Sequence, residues 1–396
     1  MDNKYKLSIC MIVRDEEKFL DKCLYSLKPL IDLKLAELII VDTGSIDKTV
    51  KIAKKYTEKV YFKEWNNNFS EARNYSISFA KGEYIFIMDA DQDMDKSEVD
   101  KLIKIFSSND YKYYNTFSVI YKNFMSEDLK NYNYSAINII FKNDGNFRYD
   151  GKIHNQALYS EPVIKLDIYM NHYGYIMTDD IKEKKFKRTA TLLKEEIKKD
   201  PKNIYYIYQL SRSYEMHGDN KEAILEVERY IKLMEKIELN YILKLSYYHN
   251  AMIIYFNAKE YDKCIYYCKE SLKIDNELID AYYLMGCSYS MNGNIDKAIL
   301  NLELYLKYLE NFKYEKYMEL NGMEIFSHGD KFQAIVEITR FKFKIDQLEG
   351  IEKYLDQITS NNEIFYSILD KILKFNILKN DIKALNRVIH KAFKDN

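Results

Sequence analysis

A run of apolar and aromatic residues, Tyr84–Met88, stops abruptly at Asp89-Ala90-Asp91, with Asp93 and Asp95 close behind. Such a run reads as a buried strand. A strand ending on carboxylates places hard oxygen ligands at the carboxyl end of a sheet, where open α/β sheets bind their ligands. Carboxylate oxygens suit magnesium or manganese. The same acids also suit an ordinary helix start, because carboxylates stabilise exposed N–H groups. The rest of the chain decides between the two.

The first half alternates strand and helix. Leu7–Val13 is a short apolar run read as a strand. After Arg14-Asp15-Glu16-Glu17, a helical pattern carries Phe19, Leu20, Cys23, Leu24 and Leu27 on one face, with Pro29 at or beyond its end. Ala36–Val41 is a second strand and terminates at Asp42-Thr43-Gly44-Ser45. Asp47–Tyr56 reads as helix, Val60–Phe62 as a third strand, and Phe69–Ala80 as a helix capped by Ser70 and closed by Lys81-Gly82. This alternation is the signature of a parallel sheet. In a parallel sheet all strands end along one edge, so Asp42 and the Asp89–Asp91 pair face one pocket.

No GxGxxG or GxxxxGK[ST] loop lies near the first strand. A pocket of carboxylates needs another way to hold a diphosphate, and a bridging divalent cation supplies it. Asp42 would then hydrogen-bond a base or ribose. Beyond residue 110, Tyr113–Tyr121, Tyr134–Phe141 and Pro162–Tyr169 read as strands without intervening helices, an antiparallel extension. Asn143-Asp144-Gly145-Asn146 is a turn. His154, in a glycine-containing loop, suits phosphate binding or proton transfer. Asp93 and Asp95 read as solvated acids at the start of a Lys96–Phe106 helix.

Taken together, MIVRDEE (11–17), VDTGSIDKT (41–49), FSEARN (69–74), AKGEYIFIMDAD (80–91), GKIHNQ (151–156) and HYGY (172–175) resemble the GT-A glycosyltransferases of family 2. The chain is similar to the subgroup that joins this domain to tetratricopeptide-like helices, and within it to the peptide S-glycosyltransferases of glycosylated bacteriocins. The resemblance implies a role for each matching residue. Val13 and Glu16 border the nucleotide base, and Asp42 binds base or ribose. Arg73 supports the nucleotide pocket, Asp89 faces ribose or metal, and Asp91 ligates the metal. His172 completes the metal site. Relatives often carry Glu where this chain has Asn155, and an amide is no general base. His154 and Asp150 are left as candidates for proton transfer. A thiol acceptor needs less help from a base than a hydroxyl does.

From Asp179 onward, Lys and Glu alternate with apolar residues at helical spacing. Ile207, Leu210, Ser211, Tyr214, Gly218 and Ala223 fit a tetratricopeptide unit. A second comprises Tyr248, Ala251, Met252, Tyr255 and Cys264. A third comprises Tyr282, Met285, Gly286, Tyr289, Gly293 and Ala298. The second and third follow the expected period of about 34 residues. The longer interval before them implies an insertion near Lys236–Lys244. Cys264 and Cys268 lie one turn apart at core positions, and their spacing fits neither a zinc site nor a disulfide framework.

The expected architecture is an α/β GT-A (Rossmann-like, mostly parallel sheet) domain over 1–178, a linker helix over 179–199, and an all-α tetratricopeptide-like helical repeat domain over 200–396. The chain has 396 residues and is 47% hydrophobic, ample for two cores. Its formal net charge of −1 argues against a protein built to bind nucleic acid. No membrane span or secretory signal is visible, and the odd number of cysteines, 5, makes a reducing cytoplasm the default location.

The function implied is an inverting, metal-dependent transfer of a hexose, glucose or N-acetylglucosamine, from a UDP-linked donor. The cation is Mn2+ or Mg2+. The acceptor is a peptide or protein side chain presented by the repeats, which also suit homodimer formation. Two rival readings are a repeat-based adaptor with a degenerate first domain and a sugar nucleotidyltransferase. The second normally has a glycine-rich loop near its first strand, and Arg14–Glu17 contains no Gly.

Overall fold

The computed structural model describes residues 5–176, 179–313, 315–318, 323–347, 349–358, 369–378, 382–383, 386 and 388. The chain divides into two compact units, Met1–Gly218 and Asp219–Asn396. The first is α/β with a mixed, mostly parallel sheet at its nucleus, and the second is all-helical.

The first unit is built on one eight-stranded sheet. Its elements in chain order are β1 (Tyr5–Val13), α1 (Leu20–Asp32), β2 (Ala36–Asp42), α2 (Thr49–Ala53), β3 (Val60–Phe62), α3 (Phe69–Ile77) and β4 (Gly82–Ile87). There follow β5 (Gln92–Asp93), α4 (Lys96–Ser107), β6 (Thr116–Phe124), β7 (Tyr132–Lys142), β8 (Arg148–Asp150), β9 (Gln156–Leu158) and β10 (Val163–His172). Two helices complete it, α5 (Asp179–Lys199) and α6 (Ile204–His217). The strand order is β3-β2-β1-β4-β7-β6-β10-β5, while β8 and β9 form a separate ribbon.

The four strands of the βαβ half are parallel, with Val13 opposite Asp42 in the β1–β2 register. β7 runs antiparallel to both β4 and β6. The expected antiparallel extension is thus only part of the answer, because β10 pairs with β6 in parallel. The chain between β7 and β10 is long enough to turn back before β10 enters the sheet.

Strand alternation places side chains of β1 on two faces. Leu7, Ile9, Met11 and Val13 pack with Leu20, Cys23, Leu24, Leu27 and Leu30 of α1 and with Val99, Leu102 and Phe106 of α4. Cys10 points the other way, into a smaller cluster with Ile39, Ile85, Ile87, Phe141 and Phe147. Each of these large apolar side chains contributes about 1.5–3 kcal/mol through burial.

Three local expectations change. Pro29 lies inside α1, which continues to Asp32. Its carbonyl still accepts from the Leu33 N–H at 3.2 Å, so the helix tolerates it one turn from the end. Asn68, not Ser70, caps α3, its side chain accepting from the Glu71 N–H. Ser70 instead donates to the Gly151 carbonyl at 2.6 Å. Gly82 does not close a helix but opens β4. A Cβ there would sit 2.6 Å from the Leu7 carbonyl carbon, so glycine permits the β1–β4 approach.

The second unit consists of helix hairpins: α7 (Asn220–Met234), α8 (Tyr241–Asn257), α9 (Tyr261–Ile274), α10 (Ile279–Met291) and α11 (Ile295–Leu309). Further helices follow, among them Lys331–Lys344. At Gly286 an added Cβ would lie 2.7 Å from Leu302 Cγ and Cδ2, which explains the small residue at that repeat position. The expected insertion is the turn after α7 and the first residues of α8. Cys264 and Cys268 are fully buried with sulfurs 3.9 Å apart, and Cys268 also contacts Met252 Sδ at 3.6 Å. They are core residues.

Candidate active site

The site forms at the carboxyl edge of the parallel strands. β2 delivers Asp42, which is 5% exposed. Its carboxylate accepts from the N–H groups of Gly44 at 3.1 Å and Ser45 at 3.2 Å. These bonds fix its orientation while leaving acceptor capacity on both oxygens. Gly44 has φ +107, which lets the turn fold back over the carboxylate. The adjacent Thr43 ties this turn to β1 by donating its N–H to the Val13 carbonyl at 3.0 Å.

Asp89 and Asp91 follow β4. Arg73, on α3, donates Nη2 to both Asp89 oxygens at 2.8 and 3.1 Å. Burial works against the guanidinium charge, but Asp89 outweighs it and holds the pKa above its ordinary value. The guanidinium carbon also lies 5.3 Å from the Tyr149 ring centre. Arg73 therefore links α3, the DAD turn and the β8 strand. Asn74 completes that link, exchanging hydrogen bonds with the Tyr149 backbone at 2.8 and 2.9 Å.

Asp91 faces His172, with Oδ2 3.8 Å from Nε2. This is too long for a hydrogen bond. Asn123 donates through Nδ2 to Asn133 Oδ1 at 2.9 Å and Ser135 Oγ at 3.0 Å, which directs its Oδ1 at His172 Nδ1, 2.8 Å away. The proton is accordingly assigned to Nδ1. In the neutral ring this leaves Nε2 as an acceptor opposite a carboxylate oxygen. Two acceptors facing each other without a donor between them fit a shared cation. Ligand bonds of about 2.1 Å bring two donor atoms of one ion to such a separation.

Gly174 forms the wall of this gap. A Cβ on it would lie 2.6 Å from both Asp91 Oδ2 and His172 Nε2. Asp91 and His172 thus fit as two ligands of a divalent cation. Among the described residues no cluster of three or more His, Cys, Asp or Glu side chains forms an all-protein cage.

Glu16 was expected beside the nucleotide base. The charges that act on it are Asp91, Lys185, Asp89 and Asp47. Burial, followed by repulsion from Asp91, raises its pKa to about 7. Burial likewise raises the Asp91 pKa, and the Asp89 charge adds to it. The site concentrates negative charge.

Asp150 ends β8, and His154 lies in the turn between β8 and β9. Asp150 accepts from the Gly151 N–H at 2.9 Å. His154 has φ +47, and its carbonyl accepts from Tyr205 Oη at 3.1 Å. Burial and then Arg212 push the His154 pKa down to about 4. At neutral pH the imidazole is uncharged and only weakly basic. Asn155 Nδ2 is buried and makes no hydrogen bond with the described residues.

Asp93 is not the solvated acid expected. It is 4% exposed, pairs with Lys22 Nζ at 2.6 Å and accepts from Asn171 Nδ2 at 2.8 Å. It fastens β5 to β10 and α1. Asp95 occupies the N-cap position of α4 and is exposed.

Sequence reasoning missed two contributors. Asn123 orients His172 but carries no motif. Lys185, on α5, donates to the Gly174 carbonyl at 3.3 Å and brings a cation to the acidic cluster. It sits in a lysine-rich helix where nothing distinguishes it from its neighbours.

Residues 8–161 match the family model described as Glycosyl transferase family 2. An 89-residue stretch is 44% identical to a TPR repeat-containing protein of Synechococcus elongatus, covering 22% of this chain and 21% of that one. Over 234 residues the chain is 27% identical to the SPbeta prophage-derived glycosyltransferase SunS of Bacillus subtilis, covering 57% of this chain and 53% of that one. These matches span only about a fifth and about half of the relatives' own lengths. Among solved structures, TarS of S. aureus covers 65% of this chain and 54% of its own at 16% identity, with a TM-score of 0.36. The chain joins a domain that belongs to glycosyl transferase family 2 to tetratricopeptide-like helical repeats.

Proposed function

We propose that the protein transfers a hexose, glucose or N-acetylglucosamine, from a UDP-linked donor to a peptide or protein side chain, with inversion at the anomeric carbon. The family 2 domain supports glycosyl transfer in general. The observation that carries the finer reading is the Asp91–His172 pair, two opposed acceptors walled by Gly174. When bound there, Mn2+ or Mg2+ would neutralise the donor diphosphate and ease its departure.

The chain's own residues divide the remaining work. Asp42 and the loop after Val13 read the nucleoside. Arg73 holds Asp89 in place and removes one negative charge from the rim. Asp150 and His154 are the candidates for taking the acceptor proton, and the low pKa of His154 favours an acceptor that ionises readily. The helical repeats would present the acceptor peptide, or pair with a second copy of the chain.

Intact-mass analysis tests this directly. The full chain is incubated with a panel of nucleotide sugars and candidate peptides, with and without chelator. A hexose-sized mass gain that needs a divalent cation and is abolished by Asp91→Ala is expected. Normal transfer by a folded Asp91→Ala protein would overturn the site, and unmodified acceptors with every donor would overturn the activity.

A further inference from the structure

Among the described residues, three cations of the first unit form no ion pair with a carboxylate, although Lys185 acts on Glu16 and Asp91 through its charge. Lys185 and Arg188 stand one turn apart on α5, on the same helical face. Arg14 follows β1 and directly precedes the loop that carries Glu16. Lys185 reaches the Gly174 carbonyl, and Gly174 itself abuts Asp91 and His172. Arg188 lies 5.3 Å from the Phe69 ring centre, at the start of α3.

Burial, and then the Arg14 charge, lower the Arg188 pKa. Yet both side chains and that of Lys185 are exposed, open to a ligand from solvent rather than sealed in a core. Among the described residues, no carboxylate forms an ion pair with any of the three. Each guanidinium charge disfavours the other, with no ion-paired carboxylate among the described residues to offset it. An anion entering between them relieves that repulsion and gains charge-assisted hydrogen bonds.

We propose that Lys185, Arg188 and Arg14 form a second phosphate-binding wall, which takes the diphosphate of the donor and holds it after the sugar has left. The assignment rests on the nucleotide-sugar reading above. In transfer, the acceptor nucleophile forms a bond to the anomeric carbon while the bond from that carbon to the diphosphate oxygen breaks. The electron pair leaves on the nucleoside diphosphate, and the acceptor proton passes to a base or to solvent. The departing diphosphate gains negative charge in a site already rich in carboxylates. Fixed cations at this point favour the charged product-like state over the bound donor. Arginine also suits phosphate geometry because its planar fork can bind two oxygens at once.

The test measures binding of UDP, inorganic pyrophosphate and uridine to the full chain by calorimetry with Mn2+ present. Lys185→Met, Arg188→Met and the double variant are compared with the unaltered protein. The double variant is expected to lose about tenfold or more in UDP and pyrophosphate affinity. Its uridine affinity should not change, its UDP affinity should depend less steeply on salt, and Lys185→Arg should restore most of the loss. The thermal midpoint should hold, since both side chains are exposed. Unchanged UDP affinity and salt dependence in the double variant would overturn this assignment alone. So would a fall in thermal midpoint without a binding change, because Lys185 would then only neutralise Glu16 and Asp91. Absence of UDP and pyrophosphate binding by the unaltered chain would overturn the donor reading and this wall together.

Discussion

Gly174→Ala separates the chemistry of the site from the stability of the fold. Gly174 is not in the left-handed region, so its backbone accepts a side chain. The obstacle is contact: the new Cβ would sit 2.6 Å from Asp91 Oδ2 and from His172 Nε2. Ordinary carbon contacts lie at about 3.5–4 Å, so each atom must retreat by roughly an ångström. Both are ends of side chains, so the backbone need not move. His172 is restrained by its 2.8 Å bond to Asn123, which leaves Asp91 as the group that swings away. The folding cost is at most one hydrogen bond, about 1 kcal/mol. It is partly offset by the smaller conformational freedom of alanine in the unfolded chain.

The cost to function is larger. A misplacement of about 1 Å in a catalytic group costs roughly a hundredfold, which is about 2.7 kcal/mol in activation free energy. We therefore expect kcat/KM for sugar transfer to fall about a hundredfold, with a weaker apparent affinity for Mn2+. Urea unfolding should stay within about 1 kcal/mol of the parent. The assay is turnover of a UDP-sugar titrated with Mn2+, run beside unfolding of the same preparation. Parental turnover and Mn2+ midpoint in the alanine variant would refute the reasoning, because the gap would then tolerate a carbon atom where the cation is placed.

Two further predictions concern stability. Glu37 is 4% exposed, and its carboxylate receives Lys59, the Ser8 hydroxyl and the Lys81 N–H. Burial alone would raise its pKa, but these partners outweigh it and hold the pKa below the ordinary carboxylate value. Its stabilisation is therefore present above the unfolded-state pKa of about 4.3 and is lost as pH falls through the lower folded-state value. Glu37→Gln should be less stable at pH 7 and should show a smaller acid-induced loss in urea titrations across that window. An unaltered pH dependence would show that Glu37 titrates alike in both states. In the helical unit, Gly286→Ala drives a Cβ to 2.7 Å from Leu302 and should cost about 1–3 kcal/mol by overpacking. A thermal midpoint equal to the parent's would mean that Leu302 yields freely.

The parts of this molecule that follow from local pattern were legible in the sequence. The strand–helix alternation announced a parallel sheet, because buried strands and amphipathic helices have different periods. Asp42, Asp89 and Asp91 were visible because a carboxylate at the end of an apolar run is chemically conspicuous. The repeat spacing disclosed Gly286 through its packing need. What stayed hidden depends on contacts distant in sequence. Asp93 looked like a solvated helix acid, yet Lys22 and Asn171 approach it from α1 and β10. Ser70 looked like a cap, but the turn at Gly151 claims its hydroxyl. The parallel pairing of β10 with β6 reflects the route of the chain through the β8–β9 ribbon, on which hydrophobic pattern is silent. Lys185 was hidden among similar lysines, since only the helix's placement gives it a role.

The sequence pattern put the first repeat helix with the repeats, but α6 lies in the compact unit that ends at Gly218. Tyr205 holds the His154 carbonyl, and the Tyr206 hydroxyl lies 2.9 Å from where a Cβ on Gly151 would be. For anyone dividing or exchanging parts of this enzyme, the natural seam is therefore the left-handed glycine at the end of α6, where φ is +97. A cut before residue 204 would remove the two tyrosines that steady the His154 turn, and the loss of activity would be misread as a requirement for the repeats. Chimaeras that keep α6 with the first unit exchange the helical unit without disturbing that turn.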